Sequence, residues 1–267
     1  MSPTVRHHRR PQRALGVVMP LVPTSSDTEP ALYYRHWPAE QPRATVVLLH
    51  GIGESSNLYH RLAFALAAEG ISTYAIDQPG HGLSSGERGQ AAPIAELAQA
   101  GARLIEHART DFPLVVIGHS LGATAATVIA DETLAAIDGL VISGGPLASW
   151  EPQGELELTP EALSADPFYV DQLINDPFGL PEPDLTVFFG QDLPAPWGRL
   201  TGPLPVKTIV LHGGDDPVVP VSVARSFAQI AGADLIVYPG IRHDLLNDVG
   251  HAEVAGDIVE FVLGLQE

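Results

Sequence analysis

The chain contains no cysteine. That absence removes disulfide frameworks, thiolate metal sites, iron–sulfur ligation and thiol nucleophiles together, and leaves acid–base or metal chemistry to histidine and carboxylate. Positive charge is also scarce: 14 Lys and Arg stand against 32 Asp and Glu, the formal charge is −18, and Lys207 is the single lysine. Counterion-release binding needs the opposite sign, so neither nucleic acid nor an anionic membrane is an expected partner. No uninterrupted apolar run approaches the ~18 residues of a membrane span, so stable membrane insertion is not expected. Arg9-Arg10 suggest a twin-arginine export signal, but the apolar run over 14–22 is interrupted by Pro20 and no small-residue cleavage site follows. The expectation is a soluble, cytoplasmic protein with a flexible tail and an edge strand over residues 1–30.

What is present has a clear rhythm. With 267 residues at 45% hydrophobic content, the chain can bury one large core. Short β-branched runs at 45–49, 71–76, 114–117, 140–142, 206–211 and 235–238 alternate with helical patterns at 58–68, 93–108, 121–130, 221–231 and 249–265. That alternation predicts an α/β fold, a parallel sheet with helices on both faces. It fails over 146–200, which holds nine of the 24 prolines and seven of the 17 aromatic residues. Proline breaks long elements, whereas a disordered linker would be poor in aromatics. The stretch therefore reads as a short helical cap over the sheet's carboxyl edge, set between core segments 31–145 and 201–267. It is also acidic: from Arg109 to Arg199 no basic residue intervenes, against 14 Asp and Glu.

The most specific motif is Gly118-His119-Ser120-Leu121-Gly122, after the run 114–117 and before the helix at Leu121. A sharp strand-to-helix turn pushes its central side chain into the cleft, and only glycines fit two positions either side. The following helix aims unpaired N–H groups and a positive dipole at the place where an oxyanion would form. Serine needs a base, and the base an orienting carboxylate, in the chain order Ser, Asp, His for this turn. Two further strand ends supply them: Asp215-Asp216 follow 206–211, and His243 follows 235–238. The two aspartates compete for the role, either being also suited to cap the helix near Val221. His251 is the rival base but falls in the last helix, and His119 and His212 read as structural hydrogen-bonders. Asp77, His81 and Glu87 read as parts of a turn, and no His-Glu-x-x-His spacing exists, so neither metal nor cofactor is expected.

Three segments carry a resemblance: His50-Gly51-Ile52-Gly53-Glu54, the run from Asp77-Gln78-Pro79-Gly80-His81-Gly82 to Arg88, and the elbow at Ser120. Together they resemble the monoacylglycerol lipase and lysophospholipase-like group of α/β-hydrolases. The resemblance runs from about Ala31 to Phe261 and continues into residues 163–167 and 175–177. It implies the α/β-hydrolase fold, selects Asp216 over Asp215, and makes the backbone N–H groups of Ile52 and Leu121 the oxyanion donors.

The expected function is hydrolysis of carboxylic esters, monoacylglycerols or similar neutral acyl esters, by Ser120, His243 and Asp216. The expected partner is a small acyl ester, bound by Phe168, Tyr169, Phe178, Phe188 and Phe189 of the cap. The same residues could instead form the cap's own small core. The alternatives are thioesterase, peptidase, C–C hydrolase or perhydrolase chemistry on the same triad, or a non-enzymatic ligand receptor of the same fold.

Overall fold

A computed structural model describes residues 20–24, 29–88, 92–147, 158–179 and 200–266. Seven strands form one sheet: β1 (Tyr34–Trp37), β2 (Ala44–Leu49), β3 (Ile71–Ile76), β4 (Leu114–His119), β5 (Gly139–Ser143), β6 (Lys207–Gly213) and β7 (Asp234–Tyr238). Their spatial order is β1-β3-β2-β4-β5-β6-β7, with β1 antiparallel to β3 and the remaining pairs parallel. The β-branched runs thus form the parallel sheet that the alternation predicts. Every residue of β2, β4 and β5 is buried, as a sheet covered on both faces requires.

Successive side chains feed two cores, because strand side chains alternate between faces. Val47, Leu49, Val116 and Ile142 point to one face and pack against Leu97 and Leu104 of α2 (Ile94–Ala108), Ile129 of α3 (Leu121–Asp131) and Phe227. Val46, Leu48, Ile117 and Val141 point to the other, against Leu62 and Leu66 of α1 (His60–Ala68) and Ile258. Phe227 belongs to α6 (Val221–Ala231), and Ile258 to α7 (His251–Leu263).

The edge strand expected within residues 1–30 falls largely outside the described residues; of those described, Val22 donates its N–H to the Leu32 carbonyl and Tyr34 to that of Pro20. Before residue 31 the described residues hold a single antiparallel bridge partner, Leu21, paired with Tyr33. The edge strand is β1, whose sequence Tyr-Arg-His-Trp lacks an apolar alternation. Cross-strand ring packing holds it: His36 lies opposite Tyr74 and stacks on it at 3.9 Å.

Between β5 and β6 the described residues form two short helices, α4 (Pro160–Leu163) and α5 (Pro167–Asn175). Each starts on a proline behind a capping side chain. Thr159 accepts from the Ala162 N–H and Asp166 from the Phe168 N–H. The segment is tied to the core by the Arg61–Asp166 ion pair at 2.7 Å and by Asp248, which accepts from Ser164 Oγ and the Ala165 N–H. Among the described residues no helix is long and apolar enough to cross a membrane.

Candidate active site

The chain leaves β2 toward β3 on one side and reaches β4 on the other, so the carboxyl ends of β2 and β4 flank the point where strand order reverses. Open α/β sheets bind ligands at such a point. Ser120 stands there, between the last residue of β4 and the first of α3. Its backbone takes φ 49 and ψ −115, a conformation that L residues rarely adopt. The flanking glycines make that turn possible by close approach. A Cβ on Gly118 would lie 2.5 Å from the Gly122 carbonyl oxygen, and one on Gly122 would lie 2.0 Å from that of Leu49. Gly122→Ala is therefore expected to cost about 1–3 kcal/mol by overpacking against rigid backbone, read as a fall in Tm relative to the exposed control Gly256→Ala.

His243 follows β7 and bridges the other two groups. Its Nε2 lies 3.0 Å from Ser120 Oγ and its Nδ1 2.9 Å from Asp216 Oδ2. Asp216 is fixed from behind, since its Oδ1 accepts the N–H groups of Val218 at 2.8 Å and Val219 at 2.9 Å. Asp215 is exposed and contributes a backbone N–H to the Ile241 carbonyl, so the structure places Asp216, and not its neighbour, on the imidazole. Burial alone would lower the His243 pKa, but the charge and hydrogen bond of Asp216 outweigh it and raise the pKa above the usual histidine value. Burial pushes Asp216 up, and the two neighbouring histidines with the Val219 N–H pull it below the ordinary carboxylate range. His251 stands apart, opening α7 where Arg61 and Asp166 face it. His212 bonds the Val219 carbonyl and His119 bonds Ser143 Oγ, the structural roles expected of them.

The loop after β2 brings Ile52 beside Ser120. The N–H groups on either side of Ile52 are taken by buried side chains: Gly51 donates to Glu54 Oε2 at 2.7 Å and Gly53 to His81 Nε2 at 3.1 Å. Burial drives the His81 pKa down to about 3, which keeps Nε2 an acceptor. Among the described residues no group accepts the N–H of Ile52 or of Leu121. Asp77 seats the same region by accepting from Ser56 and Leu83 N–H groups at 2.8 Å each, the turn role read from its motif.

Among the described residues none of the aromatic side chains expected from the cap lines the cavity at Ser120. Among the described residues a cavity of about 190 Å³ beside Ser120 and His243 has an aliphatic wall of Ile52, Leu58, Leu158, Leu163, Leu173 and Ile174, with the carboxylates of Glu54 and Asp176. Phe168 turns outward, 52% exposed, beneath the Arg61 guanidinium at 5.0 Å. Tyr169 is fully buried because its hydroxyl meets Glu54 and Asp244. Phe178 is half-buried and outside this wall, its carbonyl taken by Arg88. Phe188 and Phe189 lie outside the described residues. Sequence reasoning missed Glu54, Tyr59 and Asp244. Glu54 closes the loop motif after β2, and Asp244 follows the candidate base directly, so a carboxylate at each strand end was the available signal.

A seven-stranded, mostly parallel sheet with a serine on a strained strand-to-helix turn defines an α/β hydrolase. The family model described as serine aminopeptidase, S33, matches residues 40–250. The chain belongs to that family, in its monoacylglycerol-lipase-like group of carboxylic ester hydrolases. It is 30% identical over 265 residues to the monoacylglycerol lipase of Mycolicibacterium smegmatis, covering 87% of this chain and 92% of that one. It is 27% identical to the human monoglyceride lipase, with 80% of each chain covered. The monoacylglycerol lipase structure from Paleococcus ferrophilus shares the fold at TM-score 0.75 and 24% identity, covering 88% of this chain and 99% of that one.

Proposed function

We propose that the protein hydrolyses carboxylic esters, monoacylglycerols or similar neutral acyl esters, in the cytoplasm through an acyl-enzyme on Ser120. The carrying observation is the line of contacts from Asp216 through His243 to Ser120, 2.9 and 3.0 Å long, at the strained turn. In this reading Ser120 Oγ attacks the acyl carbonyl and its proton passes to His243 Nε2. The N–H groups of Ile52 and Leu121 hold the oxyanion that forms. Collapse expels the alcohol, which takes the proton from His243. Water then attacks the acyl-enzyme in the same way, and the acid leaves. Asp216 keeps the proton on Nδ1 and stabilises the imidazolium.

Residues 146–200 act here as the cap. Leu158, Leu163, Leu173 and Ile174 supply the wall against which an acyl chain packs, and each buried methylene contributes about 0.8 kcal/mol until the space is full. The carboxylates of Glu54 and Asp176 at the cavity work against anionic substrates. The test is kcat/KM across acetyl, butyryl, octanoyl and lauroyl glycerol esters, with matched anionic lysolipids, acyl-CoA and an aminoacyl arylamide. The expected result is a rise with acyl length, then a plateau, with lysolipids turned over less well, above all at low salt. A steady fall from acetyl upward would refute the acylglycerol reading. The arylamide belongs in the panel because the family includes aminopeptidases, and its preferential cleavage would replace ester hydrolysis with peptide hydrolysis.

A further inference from the structure

Behind the candidate site two buried carboxyls face each other across a single hydroxyl. Tyr169 Oη lies 2.9 Å from Glu54 Oε1 and is also hydrogen-bonded to Asp244 Oδ2. A tyrosine hydroxyl carries one proton. With both carboxyls ionised, one of these contacts would set lone pair against lone pair in a buried setting, where the repulsion is strong. One carboxyl must therefore bring a proton of its own.

The surrounding donors decide which. Glu54 Oε2 receives the Gly51 N–H at 2.7 Å and the Tyr59 O–H at 2.6 Å, so this carboxyl is served as an anion. Among the described residues Asp244 Oδ1 has only Asn247 Nδ2 at 3.4 Å and His119 Nε2 at 3.7 Å. Burial pushes Asp244 well above the carboxylate range, and the charge of Glu54 adds to it. Burial also works against Glu54 as an anion, but the pull of His119, the neighbouring Asp244 as the carboxyl that carries the proton, and the hydrogen bond from Tyr59 prevail and hold it low. His119 is itself driven down to about 4 by burial, so the donors matter more than its charge near neutral pH.

We infer that Asp244 stays protonated and donates to Tyr169, which donates to an ionised Glu54, and that this chain is the positioning device for the site. It joins four pieces that no single element connects. Gly51 belongs to the loop of Ile52, Tyr169 to α5, Asp244 to the residue after His243, and His119 to the residue before Ser120. Its direction is fixed, so the loop and His243 are registered against α5, and one negative charge stays on the cavity wall beside His243. Glu54, His119 and Asp244 bring ligand atoms within 4.8 Å of one another, a spacing that a cation could bridge. Here Tyr169 Oη takes the bridging position. The other titratable groups facing the pair are His50, His81, His119, His243 and Tyr59.

The positioning role rests on the ester-hydrolase reading; the protonation pattern does not, and it is read without turnover. In infrared spectra at mildly alkaline pH, the wild type is expected to show a protonated-carboxyl C=O stretch that Asp244→Asn abolishes. No such band in the wild type, or its survival in Asp244→Asn, would overturn the assignment. Tyr169→Phe is the second variant: it removes the acceptor, and the band is expected to move to higher wavenumber, an unmoved band counting against the chain. For the positioning role, asparagine at 244 still donates to Tyr169, so kcat/KM should fall only about 3-fold, the scale of exchanging one neutral hydrogen bond for another. Glu54→Gln places an amide N–H among donors and should cost about 10- to 10²-fold through misplacement of the loop. It should also move the acidic limb of the kcat/KM profile to lower pH, because a charge favouring the His243 imidazolium is gone. Equal losses in the two variants, or an unmoved limb, would overturn that role.

Discussion

Ser120→Ala is expected to lower kcat for any turned-over ester by about 10⁴- to 10⁶-fold, the scale of losing the nucleophile in serine hydrolases. Alanine at this turn keeps a Cβ in the same φ 49 backbone and removes the oxygen alone, so the fold should persist with a Tm close to wild type. Labelling by a fluorophosphonate should disappear with activity. His243→Ala should produce a loss of similar size, and the double variant should be little worse than either alone, because groups acting as one unit are not additive. His251→Ala is the control, since it faces Arg61 and Asp166 rather than Ser120. Near wild-type turnover by folded Ser120→Ala would remove the proposed nucleophile. A ranking with His251→Ala below His243→Ala would move the base to His251.

Ser120 and His243 were legible in the sequence as candidates because each follows the end of a predicted strand. A glycine-flanked serine between a β-branched run and an alanine-rich helix has few structural readings, and backbone sterics at Gly118 and Gly122 account for the pattern. The sheet was legible for the same reason, as buried parallel strands write themselves as continuous apolar runs. Other features depended on partners distant in sequence. The position of Tyr169 is decided by Glu54, 115 residues earlier, and by Asp244, 75 residues later, and nothing local to α5 records either. Counting aromatics in the cap could not separate an outward Phe168 beneath Arg61 from an inward wall, since both have the same composition. β1 escaped notice because ring packing across to Tyr74, rather than an apolar alternation, holds it.

The adjacent aspartates give the second large effect. Asp216→Asn is expected to lower kcat by about 10⁴-fold, the scale of leaving a triad histidine in the wrong tautomer. The geometry explains why an isosteric change should be so severe. Asp216 Oδ1 accepts two N–H groups, from Val218 and Val219, and an amide nitrogen there would set donor against donor. The asparagine oxygen must take that side, which turns its NH₂ toward His243 Nδ1. Nδ1 then has to accept, the imidazole proton moves to Nε2, and Nε2 can no longer take the proton from Ser120. The residual activity should also show its acidic limb at lower pH than wild type, because the charge that raises the His243 pKa has been removed. Asp215→Asn changes an exposed side chain and should shift stability by no more than about 0.5 kcal/mol, with activity following. Steady-state kinetics of both variants across pH, on the ester preferred by wild type, decide the matter. Equal losses would mean that the carboxylates share the role, and a loss confined to Asp215→Asn would show that the imidazole in the working enzyme is oriented by a residue other than the one it touches here.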